Sequence, residues 1–221
     1  MTNEKEYLKE EIRKEFQLER MIVFSDAVFA IVITLMAIEI RVPELARNVS
    51  SDIFTHEMVK LIPPLISYTI SFFFIGHIWY QHLQLFSLLK DYDKGLVIRN
   101  LIMLFFIGFF PFSAALVIKL NNGFALPFAI YCSVIFASKS AQLVLQHYIL
   151  YKRPQLRINT SIQEDILRFR KNRLGVIMFM VAFFLIIITY QLISDPESKP
   201  LATLWFVPLP IVMRLLRKRI K

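Results

Sequence analysis

Cysteine is almost absent from this chain of 221 residues. The single Cys132 excludes an intramolecular disulfide and, with no second thiol, the Cys-rich zinc sites. The four histidines, His56, His77, His82 and His147, are scattered and form no H-E-x-x-H. No nucleophile stands at a useful spacing from a base, so the sequence is not read as an enzyme and no cofactor or resident metal is expected. Low-complexity stretches, a soluble domain and a second copy of any motif are also missing. The first apolar run is not followed by an A-x-A cleavage site, and the stretch before it, Met1–Glu19, is charged and helix-prone. That run is therefore expected to stay in place as a membrane helix rather than to be a removable signal.

What the chain has in excess is apolar surface. Hydrophobic residues make up 56%, 21 residues are Phe, and the mean hydropathy is +0.53. A soluble domain of this size holds roughly 45–50% apolar residues, so lipid is the expected solvent. Six apolar segments are read at about 21–40, 58–89, 96–118, 124–149, 174–193 and 201–216. A helix needs ~20 residues to cross a hydrocarbon core of ~30 Å, which predicts an all-α integral membrane protein with six spans in one domain, 1–221. Asn121-Asn122-Gly123 and Ser194-Asp195-Pro196-Glu197-Ser198 are turn signals between spans, and Pro111 is expected to kink the third.

Positive charge is distributed by side. Of the 26 Lys and Arg residues, 20 fall in the N-terminal tail, the second loop, the fourth loop and the C-terminal tail. Five fall in the opposite connections, and Lys139 lies inside segment four. This asymmetry predicts cytoplasmic N and C termini. It also removes the case for nucleic acid that the net charge of +9 would otherwise make. The basic loop 152–173 and the tail 214–221 set topology and attract anionic lipid at the cytoplasmic face. Lys139, beside Ser138, Ser140 and Gln142, reads as facing a polar seam or snorkelling.

The first segment is the most specific. On a wheel of 100° per residue, Phe24, Ala27, Thr34, Leu35 and Ile38 all fall within about 60° of Ile31. Asp26 falls about 140° away from Ile31 on the same wheel, off the stripe. A carboxylate in a lipid-spanning helix needs a partner. His77, Trp79 and His82 from segment two, or Arg99 and Asn100 from segment three, reach the right depth.

Arg20-x-x-x-Phe24-Ser25-Asp26, followed by Ala-x-x-x-Ile-x-x-Thr34, together with His77-x-Trp79, resembles the first two helices of the transmembrane protein 175 family of potassium channels, single-repeat microbial type. The resemblance implies a potassium-preferring cation channel that conducts passively, without a Thr-Val-Gly-Tyr-Gly filter, and this sequence contains none. It implies a homotetramer with a central pore lined by the first helix. Ile31 then matches the constricting isoleucine, Leu35 and Ile38 add further apolar rings that gate by dewetting, and Thr34 is the candidate for selectivity. Arg20, Phe24, Ser25, Asp26, His77 and Trp79, with Asn100 added, become a structural knot. The implied location is the plasma membrane of a prokaryote. The alternative is a proton- or cation-coupled secondary transporter with Asp26 and His77, joined by His82, as relay. The almost purely apolar stripe and the lack of a visible inverted repeat argue against it.

Overall fold

In the computed structural model the described residues are 2–45, 49–119, 125–158, 162–195 and 198–219. The turn signal Asn121-Asn122-Gly123 lies outside them, as do Arg47, Pro196, Glu197 and Lys221. The elements, in order, are α1 (Thr2–Ile38), α2 (Ser51–Val59), α3 (Ile62–Phe86), α4 (Lys94–Gly108), α5 (Phe110–Lys119), α6 (Ala125–His147), α7 (Ile162–Leu192) and α8 (Leu209–Arg219). A single π-helical turn, Tyr148–Lys152, extends α6, and a 3-10 stretch, Lys199–Phe206, precedes α8. Among the described residues there is no strand, only an isolated bridge between Leu89 and Arg157.

Several helices outrun their apolar segments. α1 begins at Thr2 and α7 at Ile162, because helical hydrogen bonding continues into water wherever the residues favour it. Glu164 and Asp165 occupy the first turn of α7, where carboxylates complement the exposed N–H groups. The third apolar segment is divided as expected near Pro111. Proline has no N–H and its ring crowds the carbonyl four residues earlier. The chain breaks at Phe109, whose N–H turns back to the Phe106 carbonyl at 3.2 Å before α5 resumes.

Among the described residues, five stretches are long and apolar enough to cross a membrane: Lys9–Ile38, Ser51–Phe86, Lys94–Ile118, Leu126–Lys152 and Ile162–Leu192. The sixth expected segment is not one α-helix. It is the 3-10 stretch followed by α8, with Pro208 and Pro210 at the junction.

The chain packs as two compact units, residues 1–87 with 104–134 and residues 88–103 with 135–221. In the first, α1, α3 and α5 pack on one another. Phe29, Ile75, Ile78, Ile107 and Phe110 are fully enclosed there. Ser71 on α3 and Tyr131 on α6 share a hydrogen bond of 2.7 Å. In the second, α7 packs against the 3-10 stretch and α8, and the Trp205 indole donates to the Thr189 hydroxyl at 2.9 Å. Ser138, Gln142 and Gln146 lie four residues apart on α6 and are all buried. This is the polar seam expected around Lys139. Lys139 donates to Gln142 at 3.4 Å, and Asn172 donates to Gln146 at 3.2 Å.

Candidate functional site

α1 has two faces. Ser25, Phe29, Val32 and Met36 are buried at 0%, 1%, 4% and 4% exposure, spaced four, three and four residues apart as one side of a helix requires. Phe24, Ala27, Ile31, Thr34, Leu35 and Ile38 are all exposed. Ile31 is 56% and Ile38 72% exposed. The apolar stripe read on the wheel is therefore the face of α1 that its own protomer leaves uncovered.

Thr34 donates to the carbonyls of Ala30 and Ile31, at 3.0 and 2.9 Å. This ties its rotamer to the helix. A hydroxyl that donates its proton to a carbonyl keeps its oxygen lone pairs, and these point away from the backbone it serves. The bond leaves Thr34 able to offer an oxygen to a cation or to water.

Asp26 lies on neither face centre and is partly buried. The Trp79 indole N–H from α3 donates to its Oδ1 at 2.8 Å. Of the donors that depth allowed, Trp79 is thus brought to the carboxylate, within one packing unit. A charge-assisted bond from a donor-only indole fits a fixed carboxylate.

The other residues of the expected knot occupy distinct settings. Ser25 is buried and donates to the Met21 carbonyl at 2.8 Å. The Arg20 guanidinium lies over the Phe16 ring, 5.9 Å from its centroid. Phe24 is exposed beside it on the helix, and His77 is exposed on α3. Asn100 is buried on α4, in the second unit. His82 is buried and stacks on Phe86 with ring centroids 4.0 Å apart, with Phe29 tilted against its other neighbour space at 5.7 Å. Among the described residues no three His, Cys, Asp or Glu side chains gather as a metal site.

A second polar cluster escaped the sequence reading. Asp93 precedes α4, accepts from the Leu96 N–H at 2.7 Å and from the Tyr148 hydroxyl at 2.7 Å, and pairs with Arg153 at 3.3 Å. Arg99 lies over the Tyr148 ring at 3.9 Å. The Tyr148 hydroxyl and then the Asp93 carboxylate hold the Arg153 guanidinium above its ordinary range. An Asp before a helix is a readable cap signal. Its link to Tyr148, 55 positions away, has no signature in the sequence. Arg157 and Asp165 form a further ion pair in the same unit, with both side chains buried.

Residues 20–111 match the family described as endosomal/lysosomal potassium channel TMEM175. That stretch contains the second half of α1, all of α3 and the complete Arg20-to-Thr34 motif. Over residues 20–111 the chain is similar to the TMEM175 family. A Chryseobacterium sp. (strain P1-3) protein named as a potassium channel is 26% identical over 86% of this chain and 92% of its own length. A Streptomyces collinus protein, also named as a potassium channel, is 34% identical over 44% of this chain and 46% of its own. The crystal structure of a lysosomal potassium-selective channel TMEM175 homologue from Chamaesiphon minutus superposes with a TM-score of 0.67 at 25% identity, covering 91% of this chain and 98% of that one. The TMEM175 resemblance extends beyond the motif to the course of nearly the whole chain. Together with its apolar helices, it makes this an integral membrane protein.

Proposed function

We propose that this chain is one protomer of a homotetrameric, potassium-preferring channel in the plasma membrane of a prokaryote, conducting passively through a central pore lined by α1. The observation that carries the reading is the uncovered stripe of α1, opposite a face buried at every turn. Four such stripes facing a common axis bury one another and enclose a path. Ile31, Leu35 and Ile38 then form successive apolar rings. A narrow apolar ring disfavours water and so raises the barrier for a hydrated ion until it widens. Four Thr34 hydroxyl oxygens lie between the first two rings and offer a partly dehydrated cation replacement ligands, the basis for preferring potassium without a Thr-Val-Gly-Tyr-Gly filter.

Six spans in a single domain, with both termini cytoplasmic, complete the proposal. The sixth is the 3-10 stretch of 8 residues followed by α8 of 11. Asp26 and Trp79, with Arg20, Phe24, Ser25 and His77, hold α1 in register. The indole is not a titrating group, which favours a structural carboxylate over a proton relay.

Ion flux from purified protein in liposomes tests the reading. A potassium gradient alone should drive rapid passive flux, with sodium slower and no coupled ion required. Flux that appears only with an imposed proton gradient would reject the channel in favour of the transporter.

A further inference from the structure

Lys171 near the start of the lipid-immersed part of α7 and Arg214, Arg217 and Lys218 of α8 line one open cleft of about 580 Å³. Pro210 and Met213 complete its wall, and no acidic side chain lines it among the described residues. Arg214, Arg217 and Lys218 are spaced three and four apart, so a single face of α8 carries them. Like charges at this spacing repel, and nothing in the cleft offsets them.

Arg217 is the centre of the arrangement. Its guanidinium lies across Gly175 of α7, where an added Cβ would stand 3.4 Å from Nη2 and 3.7 Å from Met213 Sδ. These are ordinary van der Waals distances, so the arginine packs directly on the surface of α7. Its Nε is nevertheless buried and meets no hydrogen-bond partner among the described residues. A buried guanidinium N–H without an acceptor is costly, and the planar fork matches the oxygen pair of a phosphate, as it does that of a carboxylate.

The cleft sits where α7 enters its apolar stretch and where α8 ends in a basic run, on the side that charge asymmetry assigns to the cytoplasm. Anionic headgroups are concentrated there, and basic pockets between helices at that level suit lipid phosphates. We propose that this cleft binds the phosphate of an anionic phospholipid, with a lipid carrying two phosphates preferred because four cations face it. The occupant neutralises the repulsion on α8 and pins α8 to α7. The inference is independent of ion conduction.

The test uses full-length protein in neutral detergent, with thermal stability and native mass spectrometry as readouts. Dioleoyl phosphatidylglycerol and cardiolipin are titrated against phosphatidylcholine and against inorganic phosphate. Cardiolipin should raise Tm and remain bound, phosphatidylglycerol should do so less, and phosphatidylcholine should do neither. Arg217→Gln and, as a milder variant on an exposed side chain, Lys218→Gln should each weaken cardiolipin binding at least fivefold. Arg168→Gln with Arg170→Gln, which removes two exposed charges outside the cleft, should leave it within twofold. An equal loss in that control would reduce the effect to general surface attraction and overturn the site. Full stabilisation by inorganic phosphate, with displacement of the lipid, would assign the cleft to a soluble anion and overturn the lipid.

Discussion

Asp26 is the residue whose position most constrains the reading. A carboxylate one and a half turns into an apolar helix is stable only with a donor, and Trp79 supplies one at 2.8 Å. Removing the indole takes away the side-chain donor bonded to this carboxylate. Trp79→Phe should therefore destabilise the folded protein by about 1–3 kcal/mol, the range for stranding a charged acceptor. Asp26→Asn keeps an acceptor oxygen for the indole and should cost less. Thermal melts in detergent, with oligomeric state and abundance read by size-exclusion chromatography, measure both. If Asp26→Asn assembles normally and abolishes only proton-dependent flux, the carboxylate is a relay. Thr34 shows the same logic at lower cost. Its single proton, shared between two backbone carbonyls, fixes the side chain and leaves its oxygen lone pairs as its remaining hydrogen-bonding capacity.

At the scale of elements, the N-terminal end of α4 is fitted closely to the π-helical turn after α6. A Cβ at Gly95 would stand 2.7 Å from Tyr148 Cζ and closer still to its hydroxyl. Neither atom moves freely. The hydroxyl is held by Asp93, and the ring lies beneath Arg99. Gly95→Ala should accordingly cost about 1–3 kcal/mol as overpacking. A drop of several degrees in Tm would register it, whereas an unchanged Tm would mean that the turn yields. This fit also marks what the sequence could and could not reveal. Hydropathy located five stretches long and apolar enough to cross a membrane, proline chemistry the break near Pro111, and helical spacing the stripe of α1, because each of these leaves a mark in the residues themselves. The motif and the depth of segment two brought Trp79 within reach of Asp26. The N-terminal extension of α7 was missed because hydropathy marks where a helix meets lipid and not where its hydrogen bonds end. The broken sixth segment was missed because a 3-10 stretch and an α-helix of equal polarity give the same apolar run. The Asp93, Tyr148 and Arg153 cluster joins residues whose spacing carries no period.

At the scale of the whole molecule, the uncovered stripe of α1 has two physical destinations, lipid or a second copy of itself. Hydrocarbon accepts Ile31, Leu35 and Ile38 without cost, so their exposure alone does not choose. A polar substitution does. Asparagine at position 31 facing lipid strands an amide where no water reaches, which lowers abundance and adds nothing to flux. Asparagine facing a pore axis places four amides at the narrowest apolar ring, wets it, and lowers the barrier to a hydrated cation. Ile31→Asn should therefore raise passive potassium flux, on the order of tenfold for about 1.4 kcal/mol removed from the barrier. The same substitution should reduce the preference for potassium over sodium, since a wetted ring no longer requires an ion to shed water before it meets Thr34. Liposome flux at matched protein density measures the first effect, and the reversal potential under bi-ionic conditions measures the second. Normal assembly with unchanged flux would move the constriction away from Ile31. Loss of protein with no gain in flux would place the stripe in lipid and leave the conduction path to be sought on another helix.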